Sequence, residues 1–214
     1  MPASKPWEHR ADVRRLGGTR ERRRVLIVCE DSKSSCDYFK SFKVDRNRVE
    51  VVAEGRGMNT DSLVKYASRR MDDAERGDRP YNQVWCVFDR DDFPLEKYDR
   101  AFQLARVHGI KVAWANEAFE LWYLLHFNYH DSGISRHDYK AKLKPCLGFN
   151  YVKSDKTLYA KLRTKQEAAL KHARRLEQYW NDRGERFPER HNPSTSVHKL
   201  VEFLNELAEL GSTG

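Results

Sequence analysis

The sequence predicts an α/β fold: a four-stranded parallel sheet flanked by helices, followed by a helical extension. Three observations predict it. Short runs that are wholly or mostly apolar recur at 25–29, 49–53, 84–88 and 111–115, a length that suits strands of a buried sheet. Stretches of helical period separate them, so strand and helix alternate four times before residue 130. Acids stand directly after two of the runs, at the carboxyl ends of strands, where open α/β sheets bind their ligands.

Taken in order, residues 1–24 lack an apolar period and read as a basic arm, with a charge run from Arg20 to Arg24. Val25–Cys29 is the first strand and ends in Glu30-Asp31-Ser32. Ser32 is a candidate N-cap for a helix carrying Cys36, Tyr38, Phe39 and Phe42. Val49–Ala53 is the second strand. Asn59 or Thr60 caps the next helix, with Leu63, Val64, Ala67 and Met71 at helical spacing. The third strand, Val84–Phe88, runs into Asp89-Arg90-Asp91-Asp92. A helix over Leu95–Val107 stops at His108-Gly109, where glycine suits the left-handed stop position. Lys111–Ala115 is the fourth strand, and the segment from Asn116 to Phe127 reads as a helix apolar on most of its circumference, hence buried.

From residue 130 onward no strand pattern is visible. Ser154–Trp180 reads as one long basic helix with Leu158, Leu162, Ala169, Ala173 and Leu176 as its apolar stripe. Ser194 or Thr195 caps a last helix after a Gly/Pro break at 184–193. The expected organisation is therefore a basic arm at 1–24, an α/β domain at 25–130 and a basic helical subdomain at 131–214 packed on it.

The formal net charge of +8 is unevenly spread. Residues 1–24 carry net +5, 25–135 net −3, 136–180 net +8 and 181–214 net −2. A mildly acidic centre between two basic segments attracts polyanions, nucleic acid first among them. Lys156, Lys161, Arg163, Lys165 and Lys171 are the candidates to track a phosphate backbone, with Tyr159, Tyr179 and Trp180 interleaved. A solvated helix face is the plain alternative. The four cysteines show neither CxxC pairing nor zinc-ligand spacing, which fits a reducing cytoplasm. No run approaches a membrane span and no apolar leader precedes the first strand, so a cytoplasmic protein without membrane contact is expected.

The chemistry collects at two strand ends. If the sheet runs in the order 2-1-3-4, Glu30 and Asp89/Asp91 converge at the topological switch point. Closely packed carboxylates repel, and one or two Mg²⁺ (or Mn²⁺) ions relieve the repulsion while clamping a phosphate. A solvated acidic turn is the alternative for the D-x-D alone. A dinucleotide fold would need G-x-G-x-x-G after the first strand, where this chain has Glu-Asp-Ser-Lys-Ser; a P-loop is missing for the same reason. A phosphatase of the haloacid-dehalogenase type places D-x-D after the first strand, not the third. A phosphorelay receiver is a weaker alternative, since it needs a fifth strand preceded by lysine.

A Glu after the first strand with D-x-D after the third resembles the Toprim domain of topoisomerases, primases and small nucleases. The chain is more closely similar to the RloB-like proteins found beside bacterial restriction and abortive-infection loci. The residues that carry this are Ile27-Val28-Cys29-Glu30, Tyr38-Phe39, Val87-Phe88-Asp89-Arg90-Asp91, Asn116-Glu117-Ala118-Phe119-Glu120-Leu121-Trp122 with Leu125-His126-Phe127, and Asn192-Pro193-Ser194-Thr195-Ser196-Val197-His198. The family pattern often has Gly where Asp31 stands and Asn-Pro where Glu117-Ala118 stands, which leaves the ligand set open. The resemblance implies a Mg²⁺-dependent nuclease of anti-phage defence acting on RNA (tRNA included) or DNA, with Glu30 as general acid/base and Asp89 and Asp91 as metal ligands. It implies a partner protein, encoded nearby, that keeps the activity silent. A non-catalytic nucleic-acid-binding accessory protein is the alternative. Lys33, Asn116, Glu120, His126, Asn192, Ser196 and His198 are candidates for support, with Ser196 and His198 touching substrate phosphate. Helix capping and core hydrogen bonds are the plain alternative for Glu120, His126 and the 192–198 segment.

Overall fold

The computed structural model describes residues 22–45, 49–90 and 94–212. Most of the basic arm, together with Asp91 and Asp92, lies outside the described residues. β1 (Arg23–Cys29), α1 (Ser34–Lys40), β2 (Val49–Gly55), α2 (Thr60–Arg76), β3 (Gln83–Asp89), α3 (Leu95–Val107) and β4 (Lys111–Asn116) alternate as the apolar runs require. The short buried α4 (Glu120–Leu125) follows, then α5 (Tyr139–Leu147), α6 (Leu158–Leu162), α7 (Gln166–Asp182), β5 (Ser194–Thr195) and α8 (Val197–Ser212).

The sheet order is β2-β1-β3-β4-β5. β1 pairs in parallel with both β2 and β3, so the switch point falls between β1 and β3, as the assumed order requires. The first four strands are parallel, and β5 adds an antiparallel pair in which Ala115 faces Thr195 and Asn116 faces Ser194. This fifth strand corrects the reading of no strand beyond 130. Two residues are too few to show an alternating pattern, and side-chain bonds to β4 hold them in place.

Two cores cover the two sheet faces. Leu26, Val28, Val84, Cys86 and Phe88 pack on Leu63, Val64 and Ala67 of α2 and Tyr98 and Ala101 of α3. Val25, Ile27, Cys29, Trp85 and Val87 pack on Phe39, Leu121, Leu125, Leu143, Leu162, Leu176 and Leu200. Residues on both sides of position 130 thus share one core with the sheet.

The expected helix over 154–180 is broken. α6 ends at Leu162, a 3-10 turn spans Arg163–Lys165, and α7 begins at Gln166. No Pro or Gly marks the break in sequence, since every residue between Lys156 and Trp180 tolerates a helix. At α2 the expected cap holds, with the Asn59 side chain accepting from Ser62 N–H at 3.1 Å. At α1 it does not. The Asp31 carboxylate, not Ser32, takes the Ser35 N–H at 3.2 Å, the Ser35 hydroxyl at 2.8 Å and the Ser34 hydroxyl. Gly55 at the end of β2 lets this turn close: a Cβ there would lie 2.3 Å from the Ser32 Cα and 2.6 Å from the Asp31 carbonyl oxygen.

Candidate functional site

The parallel ladder delivers Glu30 and Asp89 to one place. Glu30 N–H donates to the Val87 carbonyl at 2.9 Å, continuing the β1–β3 pairing one residue past the strand. Its carboxylate then turns back, and Glu30 Oε2 accepts the Asp89 N–H at 3.2 Å. The turn that leaves β2 seals the other side: Arg56 N–H donates to the Cys29 carbonyl at 3.1 Å and Gly57 N–H to the Glu30 carbonyl at 2.6 Å.

Two further carboxylates join them. Asp31 is held by the first turn of α1, and Glu120 enters from the first turn of α4, only 5% exposed. The Tyr151 hydroxyl donates to Glu120 Oε1 at 2.8 Å. Lys153 spans the gap, its ammonium 3.9 Å from Asp31 Oδ2 and 3.9 Å from Glu120 Oε1. The consequence falls on Asp89. Burial first, then the charges of Glu120, Glu30 and Asp31, push its carboxyl well above the usual carboxylate range, with Lys153 opposing them. Solvent still reaches part of Asp89, which softens the shift.

Two tyrosines border the cluster. Burial first and Glu120 second raise the Tyr151 hydroxyl. Burial raises that of Tyr139 too, followed by Asp89, Glu117 and Glu120. Tyr139 is 1% exposed, and a hydrogen bond to the Glu117 backbone opposes that rise.

The other candidates sit elsewhere. His126 belongs to the aromatic core, with Nδ1 at 2.8 Å from the Trp122 carbonyl and its ring edge-on to Trp122 and Tyr38. Burial lowers it to about 4, so it is neutral, and Nδ1 donates. Asn116 Nδ2 donates to the Glu189 carbonyl at 3.2 Å. Asn192 ties Ile134 to Glu117, donating to Glu117 Oε1 at 3.1 Å and to the Ile134 carbonyl at 3.0 Å.

Ser196 and His198 correct the expectation that they touch phosphate. Both are 1% exposed. Ser196 Oγ accepts the Trp114 N–H at 3.1 Å and donates to the Val112 carbonyl at 3.2 Å, while His198 Nε2 donates to Glu177 at 3.1 Å. These groups fasten the chain to β4 and α7. Lys33 is exposed at the start of α1, its N–H donating to Asp31 Oδ1 at 3.3 Å.

Lys156, Lys161, Arg163, Lys165 and Lys171 are all exposed, but on four successive pieces of chain instead of one helix. Lys161 pairs with Asp155 at 3.1 Å and covers the Phe149 ring at 4.1 Å, and Lys165 covers Phe127 at 5.3 Å. Tyr139, Tyr151 and Lys153 are what sequence reasoning missed. They sit in segments with no motif, and only the tertiary fold brings them to the acids.

Among the described residues, no three His, Cys, Asp or Glu side chains gather closely enough to hold a metal ion by themselves. Nor is any helix among them long and apolar enough to cross a membrane. No curated protein matches the chain. The sequence model of the RloB-like proteins matches residues 25–204, which take in every strand but the first two residues of β1, the acidic crevice and the first half of α8. The chain belongs to the RloB-like family.

Proposed function

We propose that the protein is a Mg²⁺-dependent nuclease whose centre is the crevice of Glu30, Asp89 and Asp91. The observation that carries this reading is the meeting of Glu30 and Asp89 at the switch point, with Glu120 and Asp31 close enough to push Asp89 up. Uncompensated like charge at a sheet's carboxyl end is what a hard divalent cation relieves, and carboxylate oxygens are the donors that Mg²⁺ or Mn²⁺ prefers. Asp89 and Asp91 would hold it, Asp91 supplying a donor from outside the described residues. When bound, such an ion neutralises charge that develops on phosphoryl oxygens.

The chain's own residues do the rest. The bond from Asp89 N–H to Glu30 Oε2 fixes the Glu30 carboxylate at the end of β1, where it serves as general acid/base. Tyr151 holds the Glu120 carboxylate in place beside Asp89. The basic surface at Lys156, Lys161, Arg163, Lys165 and Lys171 supplies sequence-independent attraction to nucleic acid. Membership of the RloB-like family suggests a protein of a bacterial defence locus. There a partner encoded nearby would hold a toxic nuclease silent. A receiver finds no support: β5 is antiparallel, two residues long and preceded by Pro193.

The test is to incubate purified protein with Mg²⁺ or Mn²⁺ and total tRNA, ribosomal RNA or duplex DNA, beside Glu30→Gln. Cleavage by the parent and none by the variant, with binding retained in both, is the expected result. Binding without cleavage under every condition would leave a nucleic-acid-binding accessory protein.

A further inference from the structure

Glu30, Asp31, Asp89 and Glu120 make the crevice strongly negative, and a phosphodiester is negative too. Such a site repels its own substrate unless a cation stands at its mouth. Among the described residues, Lys153 is the cation whose ion pairs reach the cluster. Its ammonium lies 3.9 Å from both Asp31 and Glu120. That is attraction without hydrogen bonding, which needs roughly 2.7–3.2 Å between nitrogen and oxygen. Neither carboxylate therefore uses any of its N–H donors, and with 49% of the side chain exposed, an incoming anion can reach them.

Two features show that this placement is built. Tyr151, two residues earlier, is locked by its bond to Glu120 and by its ring against Tyr123 at 5.9 Å, so the chain carrying Lys153 is anchored from beneath. Second, the Tyr139 hydroxyl is buried against the same acids, in the field of Asp89, Glu117 and Glu120, and is hydrogen-bonded to the Glu117 backbone.

We propose that Lys153 is the phosphate-docking residue of the crevice: Asp31 and Glu120 hold its ammonium at the mouth, and its N–H groups donate to a non-bridging oxygen of the phosphodiester. This assignment rests on the nuclease reading above. The experiment measures binding of a short labelled single-stranded RNA and of a DNA duplex in Mg²⁺ across a salt series. Glu30→Gln protein serves as parent so that nothing is turned over, and Lys153→Met and Lys153→Arg are added to it. Removing one phosphate contact reduces the salt dependence of the affinity by about one unit of log–log slope. Lys153→Met is expected to lose this unit with its melting temperature unchanged, and Lys153→Arg to keep it. In protein with Glu30 intact, Lys153→Met is expected to lower kcat/KM by about ten- to a hundredfold.

An unchanged slope with nucleic acid still bound overturns the assignment and leaves the nuclease reading standing. A fall in melting temperature with the slope unchanged also overturns it, and makes Lys153 a structural counter-ion of Asp31 and Glu120. A parent that binds neither RNA nor DNA overturns the nuclease reading, and the assignment with it.

Discussion

The acidic crevice and the 192–198 segment are both polar and largely buried, yet their polar groups are spent in opposite ways. In the segment hydroxyls and charge meet complements: Ser196 closes two bonds on β4, Thr195 donates to the Trp114 carbonyl at 2.8 Å, and His198 meets Glu177 through Nε2, its buried Nδ1 being left over. In the crevice four carboxylates gather; Glu30, Asp31 and Glu120 accept hydrogen bonds from neutral donors, and the Lys153 ammonium lies 3.9 Å from Asp31 and from Glu120. Their effect on acidity is opposite as well. Glu177 is held down to about 2, first by the hydrogen bond from His198 and then by Lys199, while Asp89 is pushed up. Opposite charges that meet build the fold; like charges gathered at one strand end leave a field that a cation would answer.

The contrast can be broken at either end. The largest expected effect is that of Glu30→Gln, which should lower cleavage about a thousandfold while leaving the melting temperature in place. Ser196→Ala should do the reverse. It leaves a buried N–H and carbonyl of β4 short of partners, costing about 1–3 kcal/mol in a denaturant titration, with kcat of the folded protein unchanged. Loss of cleavage without loss of stability in Ser196→Ala would place the segment in the site and collapse the comparison.

Smaller effects sharpen it through pH. A carboxyl whose folded value is raised holds its proton longer in the folded state. Its contribution to stability is therefore greatest in acid and is lost as pH rises past the ordinary carboxylate range. Asp89→Asn should accordingly melt a few degrees higher than the parent at neutral pH in chelator, with the gap closing as pH falls. Glu177 has the opposite sign, contributing stability above 4.5 that disappears as pH falls toward about 2. Glu177→Gln should flatten that acid limb, a modest change because 30% of the side chain is exposed and solvent screens it. Parallel pH profiles for the two variants would show that the two regions do not differ in the way described.

Most of this architecture was legible in sequence because burial on both faces leaves a short apolar run with nothing else to be. The runs at 25–29 and 84–88 placed Glu30 and Asp89 at strand ends, and the assumed order 2-1-3-4 then made them neighbours. What stayed hidden depends on distance in sequence. Tyr151 reaches Glu120 across 31 positions, and Lys153 stands in a segment without periodicity. The break at Arg163–Lys165 carries no breaker residue, since packing of Leu162 and Ala169 into one core decides it. Asp31 looked like an extra charge at a metal site, but three serine groups and a lysine N–H engage it.

The shared core has a consequence for how the chain is made. By Asn116 the ribosome has delivered the four parallel strands, yet Val25, Ile27, Trp85 and Val87 must wait for Leu176 and Leu200 to cover them. Glu120 likewise lacks Tyr151 and Lys153 until the middle of the downstream half has emerged. Domains fold as units during synthesis, and this one cannot close until its final helix is released. Under the proposed nuclease reading, a chain arranged in this way would stay inert throughout its own translation and would not attack the messenger from which it is being read.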